Sequence, residues 1–139
     1  MSLEDINMDT ERFNKITGRL KKQDIEIIRD EEMDRYLKIR CAEAMTSNDG
    51  KFIYFQQGSI PAASAVYEEL IHIAQIKKYG QIEQIDANGN KEYLKREIEA
   101  QEKMLRNAKA YGFTQNDISE IENNLQKYKK AWEEKGYDN

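Results

Sequence analysis

The sequence predicts a single α+β domain, mostly helical, with a small antiparallel sheet. Three observations predict it. Pro61 is the only proline in 139 residues, so almost the whole chain is free to be helical. Five stretches carry apolar residues at helical spacing. Two short runs rich in β-branched and aromatic residues lie near strong turn chemistry. The length is that of one domain and allows a core without disulfides or a structural metal.

The elements follow in order. Residues 1–10 are polar and acidic and are expected to form a flexible lead-in, with Met1-Ser2-Leu3 reading as a cloning remnant. Thr10 to Gln23 is predicted helical through Phe13, Ile16 and Leu20. Ile25, Ile27 and Ile28 predict a short strand, and Glu31 to Arg40 a second helix through Met33, Tyr36, Leu37 and Ile39. Ser47-Asn48-Asp49-Gly50 is a hairpin turn, because Asn, Asp and Gly tolerate positive φ. Its flanks, Cys41 to Thr46 and Lys51 to Gln56, are the predicted strands, and Gly58-Ser59-Ile60-Pro61 ends the second.

A helix is predicted from Ala62 or Ser64 to Tyr79, with Gly80 as its C-terminal stop. Gln81 to Lys91 contains Asp86-Ala87-Asn88-Gly89-Asn90 and is expected as a loop or small flexible hairpin. Glu92 to Tyr111 reads as a helix halted by Gly112. Thr114 and Asp117 resemble a capping box opening the last helix. There Ile118, Ile121, Leu125, Tyr128 and Trp132 form one stripe, read as core or interface.

Composition narrows the function. Charged residues make up 35% of the chain, and 22 basic and 26 acidic residues are mixed along it. No stretch is basic enough to neutralise several phosphates, so nucleic acid is not an expected partner. No apolar run approaches the length of a membrane span, and the polar start does not read as a signal peptide. Cys41 is the only cysteine, which excludes an internal disulfide. It reads as a small buried strand residue. A lone thiol suits a reducing compartment and equally a module that works elsewhere without a disulfide.

The stretch that carries chemistry is Ala65-Val66-Tyr67-Glu68-Glu69-Leu70-Ile71-His72-Ile73-Ala74-Gln75. Residues four apart share a helix face, so Glu68 and His72 point at a common centre, with Glu69 beside them. This is the geometry of H-E-x-x-H, two metal ligands at i and i+4 and a glutamate that activates water, with Glu68 in the first histidine's place. A third ligand must come from a second helix. There Leu94, Ile98, Gln101, Met104, Leu105 and Ala108 define the inward face. Glu97 falls within it, Glu102 at its edge and Glu99 on the far side. Glu97 is therefore the expected third ligand, with Glu102 and Glu99 behind it.

The order of a strand, an E-E-L-I-H-I-A-Q helix and an R-E-I-E-A-Q-E-K-M-L helix resembles the zincin-like metallopeptidase toxin domains at the C-terminal ends of bacterial polymorphic toxins. The likeness is clearest from about Gly50 to Tyr111. It implies a minimal zincin-like fold and a hydrolase acting on a protein or peptide. It also implies a secreted effector cut from a longer carrier and delivered into a target cell, with a cognate immunity protein in the producer. Glu68, His72 and Glu97 would hold Zn²⁺, and Glu69 would serve as general base toward the water on it. One imidazole with carboxylates also suits Mn²⁺ or Fe²⁺. His72 is the only histidine, so a site with two or three histidines is excluded. Tyr67 or Tyr54 is a candidate for oxyanion stabilisation, and Gln75 for a hydrogen bond to a ligand.

Two other functions fit the same residues. The missing first histidine suits a zincin-derived binding module without metal, in which His72 is a half-buried ring bonded to Glu68 or Glu97. A metal-independent enzyme using Glu68, Glu69, His72 and Glu97 for acid–base chemistry is the third reading.

Overall fold

The first two helices begin where an aspartate caps them. Asp9 accepts from the Arg12 N–H ahead of α1 (Thr10–Lys22), and Asp30 from the Met33 N–H ahead of α2 (Glu31–Ile39). The β-branched run between them forms β1 (Glu26–Ile28). These elements belong to a computed structural model that describes residues 8–40, 42–58, 60–82 and 87–137. The hairpin is β2 (Ala44–Thr46) and β3 (Phe52–Phe55), and three helices follow: α3 (Ala63–Tyr79), α4 (Ala87–Arg106) and α5 (Gln115–Glu134). The fold is thus α+β and mostly helical, as expected. Cys41 and Ser59, and residues 83–86 of the expected loop, lie outside the described residues.

The turn at Ser47–Gly50 closes the antiparallel pair β2–β3, in which Thr46 faces Ile53. Gly50 has φ +74, the left-handed conformation glycine adopts without strain. The sheet is not wholly antiparallel. β1 pairs parallel to β3, with Ile27 opposite Ile53, because α2 carries the chain away from β1 before the hairpin forms. The order β1-β3-β2 leaves β2 at an edge.

The largest departures from the sequence reading are the two ends of α4, and β2 is shorter than expected, Ala44–Thr46. α4 starts at Ala87, not Glu92, and takes in Asn88-Gly89-Asn90. Local turn chemistry there loses to helix extension, since one interior glycine costs only about 1 kcal/mol. At its other end α4 stops at Arg106, short of Tyr111, and 107–112 form turns. The Asn107 side chain donates back to the Lys103 carbonyl at 2.9 Å, and the Arg12 guanidinium takes the carbonyls of Ala110 and Tyr111. At the start of the chain, Met8 is buried and its N–H donates to the Pro61 carbonyl.

α3 lies between two apolar clusters. Ala63, Val66 and Ile73 pack with Phe13, Ile16, Leu20, Ile53 and Phe55. Ile71 packs on its other side with Ala100, Met104 and Ile121 of α4 and α5. Burying a side chain such as Phe55 completely contributes roughly 1.5–3 kcal/mol. With two faces of α3 used in this way, Glu68, His72 and Gln75 share a third.

Candidate metal centre

Glu68, His72 and Gln75 stand at i, i+4 and i+7 on α3, so they form one stripe along the helix. Glu69 lies beside it, and α4 brings Glu97 opposite. His72 Nε2 is 3.1 Å from Glu97 Oε1 and 3.7 Å from Glu68 Oε1. In a tetrahedral zinc site with bonds of about 2.0–2.1 Å, ligand atoms stand about 3.3–3.4 Å apart. The two observed separations bracket that spacing. Glu68, Glu69 and His72 each offer an atom within 4.8 Å of the other two, close enough to hold a metal ion. Glu97 is not one of that mutual trio and meets the cluster through His72.

The orientation of the ring is held from behind. The Gln75 amide nitrogen donates to the Arg96 carbonyl at 2.9 Å and to Glu99 Oε1 at 3.1 Å. Its oxygen therefore faces His72 Nδ1, at 2.9 Å, and Nδ1 must carry the proton. In the neutral ring this leaves the Nε2 lone pair directed at Glu68 and Glu97, the arrangement a metal ligand needs. Gln75 thus makes the hydrogen bond expected of it.

In the protein without an ion the same atoms share a proton. Burial disfavours a charged His72, but hydrogen bonds to Glu68 and Glu97 and the charge of Glu97 outweigh it and push the ring up to about 11. Burial pushes Glu69 up to about 7, against the charge of His72, with the neighbouring charge of Glu68 adding to the rise. The Thr46 hydroxyl donates to Glu69 Oε1 at 3.0 Å and ties it to β2.

The α4 glutamates separate as the helical wheel predicts for Glu97 and Glu102, but not for Glu99. Glu97 is 7% exposed and reaches His72, while Glu102 stands 3.7 Å from Lys129, away from the cluster. Glu99, expected on the solvated far side, accepts from Gln75 and from the Tyr79 hydroxyl. Among the described residues no lysine or arginine pairs with Glu97.

The cluster opens into a cavity of about 970 Å³ whose lining includes β2, the first turns of α5 and Tyr36, Tyr93 and Tyr128. Tyr67 and Tyr54 do not line it. Tyr67 is stacked on Tyr111 with ring centres 4.1 Å apart, an aromatic contact that takes it into the core. Tyr128, expected in core or interface, instead faces Glu97, and Tyr93 faces Tyr128. Burial and the Glu97 charge hold both phenols above the usual tyrosine range, so both keep their protons. Gln101 also escaped the sequence reading as a site residue. It is 1% exposed and its amide nitrogen donates to Glu68 Oε1 at 3.3 Å. A glutamine within the apolar face of α4 was the available signal, since a buried amide needs a partner.

Comparison with protein-family models, curated proteins and solved structures gives no match for this chain.

Proposed function

We propose that the protein is a zinc-dependent peptidase, with Glu68, His72 and Glu97 holding the metal and Glu69 as general base. One observation carries the reading: His72 Nε2 lies between two carboxylates on different helices while Gln75 fixes the ring from behind. Zn²⁺, when bound, would lower the pKa of a water and polarise the scissile carbonyl. Glu69 would accept the proton and return it to the leaving amine, a role that suits a carboxyl raised to about 7. Thr46 holds that carboxyl in place. Tyr93 and Tyr128, both protonated, are donors at the cavity wall. Residues 44–46 of the edge strand β2 line the cavity, and an edge strand offers free backbone groups on which an extended peptide can pair. The resemblance of the E-E-L-I-H-I-A-Q and R-E-I-E-A-Q-E-K-M-L helices to zincin-like toxin domains extends the proposal to an effector carried on a longer polypeptide and countered by an immunity protein.

A second reading has its own observation. The Glu97–His72–Glu68 contacts already form a satisfied ion-pair group when the ring is protonated, as a metal-free binding module would require. Metal analysis of protein purified without chelator separates the two. About one equivalent of zinc, lost in His72→Ala, is the result expected of the peptidase. Protein that carries no zinc and takes up none when offered it excludes the peptidase and leaves the metal-free readings.

A further inference from the structure

Six side chains are the largest fully buried ones among the described residues: Phe55, Leu37, Ile53, Met104, Val66 and Gln101. Five are apolar, as deep core positions favour, and Gln101 alone brings an amide there, with a donor and an acceptor that both need partners. Its nitrogen donates to Glu68 Oε1 at 3.3 Å. Its carbonyl oxygen is shut off from solvent and has no donor among the described residues. Turning the amide over would help neither atom. The oxygen would then meet the Glu68 carboxylate, and the nitrogen would become the orphan. The side chain is thus committed to one hydrogen bond, and that bond goes to a proposed metal ligand.

In the metal-free fold the two ends of this amide oppose each other. An acceptor buried without a donor destabilises the folded state. The bond at the other end, at 3.3 Å, is longer than the usual range of about 2.7–3.2 Å and offsets little of that. Glu68 does not depend on it for solvation. Its side chain is 28% exposed to water, and His72 Nε2 stands 3.7 Å from the same oxygen. A hydrogen bond that gives the fold nothing, yet fixes the carboxylate of a ligand, fits the outer support of a metal centre. Gln75 differs, because both ends of its amide are bonded and it supports the fold and the His72 ring alike.

We propose that Gln101 is a positioning residue for the metal centre, holding the Glu68 carboxylate in its orientation while adding nothing to the stability of the metal-free fold. The inference rests on the reading of Glu68 as a metal ligand. It gives one substitution two separate consequences. Gln101→Met, unbranched and close in volume, removes the orphan oxygen and the support of Glu68 together.

The test compares Gln101→Met with the unsubstituted protein, both as the full chain. After chelator treatment, the variant should melt at or above the temperature of the unsubstituted protein. Its zinc affinity, read by competition with a chromophoric chelator, should fall about tenfold or more, the loss that removing an outer partner of a ligand brings. With Co²⁺ in place of zinc, the visible absorption bands should shift or change in intensity, which a side chain that only fills the core would not cause. Unchanged zinc affinity overturns the proposal, and so does a cobalt spectrum identical to that of the unsubstituted protein. A lowered melting temperature, or failure of the variant to fold, also overturns it, because Gln101 would then be a support of the fold. The metal-centre reading fails separately, if the unsubstituted protein takes up no zinc.

Discussion

Replacing Gln75 by leucine tests whether His72 is built to be a ligand. The substitution keeps approximate volume at a position only 3% exposed and removes three polar contacts, to His72 Nδ1, the Arg96 carbonyl and Glu99. Leaving a buried donor or acceptor unsatisfied costs about 1–3 kcal/mol, so the metal-free fold should lose about that much stability in urea titration. Loss of a partner that orients a metal-bound histidine lowers affinity about 10- to 100-fold, or about 1.4–2.7 kcal/mol. Zinc affinity is read by competition with a chromophoric chelator, on protein shown to be folded. The expected result is both losses together, with Gln75→Glu keeping an acceptor for Nδ1 and recovering part of the affinity. Lowered stability with unchanged zinc affinity would refute the reasoning, because the ring would then need no support from Nδ1 to present Nε2.

Glu69→Gln should retain zinc and abolish peptidase activity, measured by metal analysis beside a cleavage assay. At pH 8 the metal-free variant should also be more stable, by no more than about 3 kcal/mol, because it removes a buried charge whose pKa is raised from 4.5 to about 7. Stability of the metal-free protein should fall as pH rises. Both raised groups favour the protonated fold, Glu69 losing its contribution between about 4.5 and 7 and His72 between 6.5 and about 11, so thermal melts from pH 5 to 10 check the sign. Gly50→Ala should destabilise by about 1–2 kcal/mol, since φ is +74 and the added Cβ would stand 3.1 Å from Ile76 Cγ2. A melting temperature equal to that of the unsubstituted protein would contradict that turn.

Most elements were legible because their signals are local. Thr114 caps α5 as its capping-box signal predicted, and Ser47–Gly50 closes its hairpin. The ends of α4 were not legible, because Asn88-Gly89-Asn90 reads as turn and only contacts beyond the segment, such as Arg12 on Ala110 and Tyr111, decide where the helix stops. The parallel pairing of β1 is a long-range fact for the same reason. At the site, i,i+4 spacing placed Glu68 and His72, and the helical wheel placed Glu97. Thr46, Tyr93 and Tyr128 come from three different elements, and no spacing in the sequence joins them to α3. Tyr67 misled because its position next to Glu68 says nothing of the side chain's direction, which the stack on Tyr111 settles.

The cluster's charge explains why a proton and a metal ion compete for it. Three carboxylates surround one imidazole, and without an ion the protein compensates by keeping His72 protonated and Glu69 near half-protonated at neutral pH. A dication that coordinates Nε2 must displace the ring's proton, and its field favours the ionised form of Glu69. Binding at pH 7 should therefore release about 1.5 protons, one from His72 and about half from Glu69. The number should approach about two at pH 5.5 and about one at pH 9. Calorimetry in buffers of different ionisation enthalpy reads that number directly. Release near one half at pH 7 would mean that His72 is neutral before the metal arrives. Tight zinc binding with no release at any of these pH values would place the metal elsewhere on the chain, because an ion on this cluster cannot leave both protons where they are.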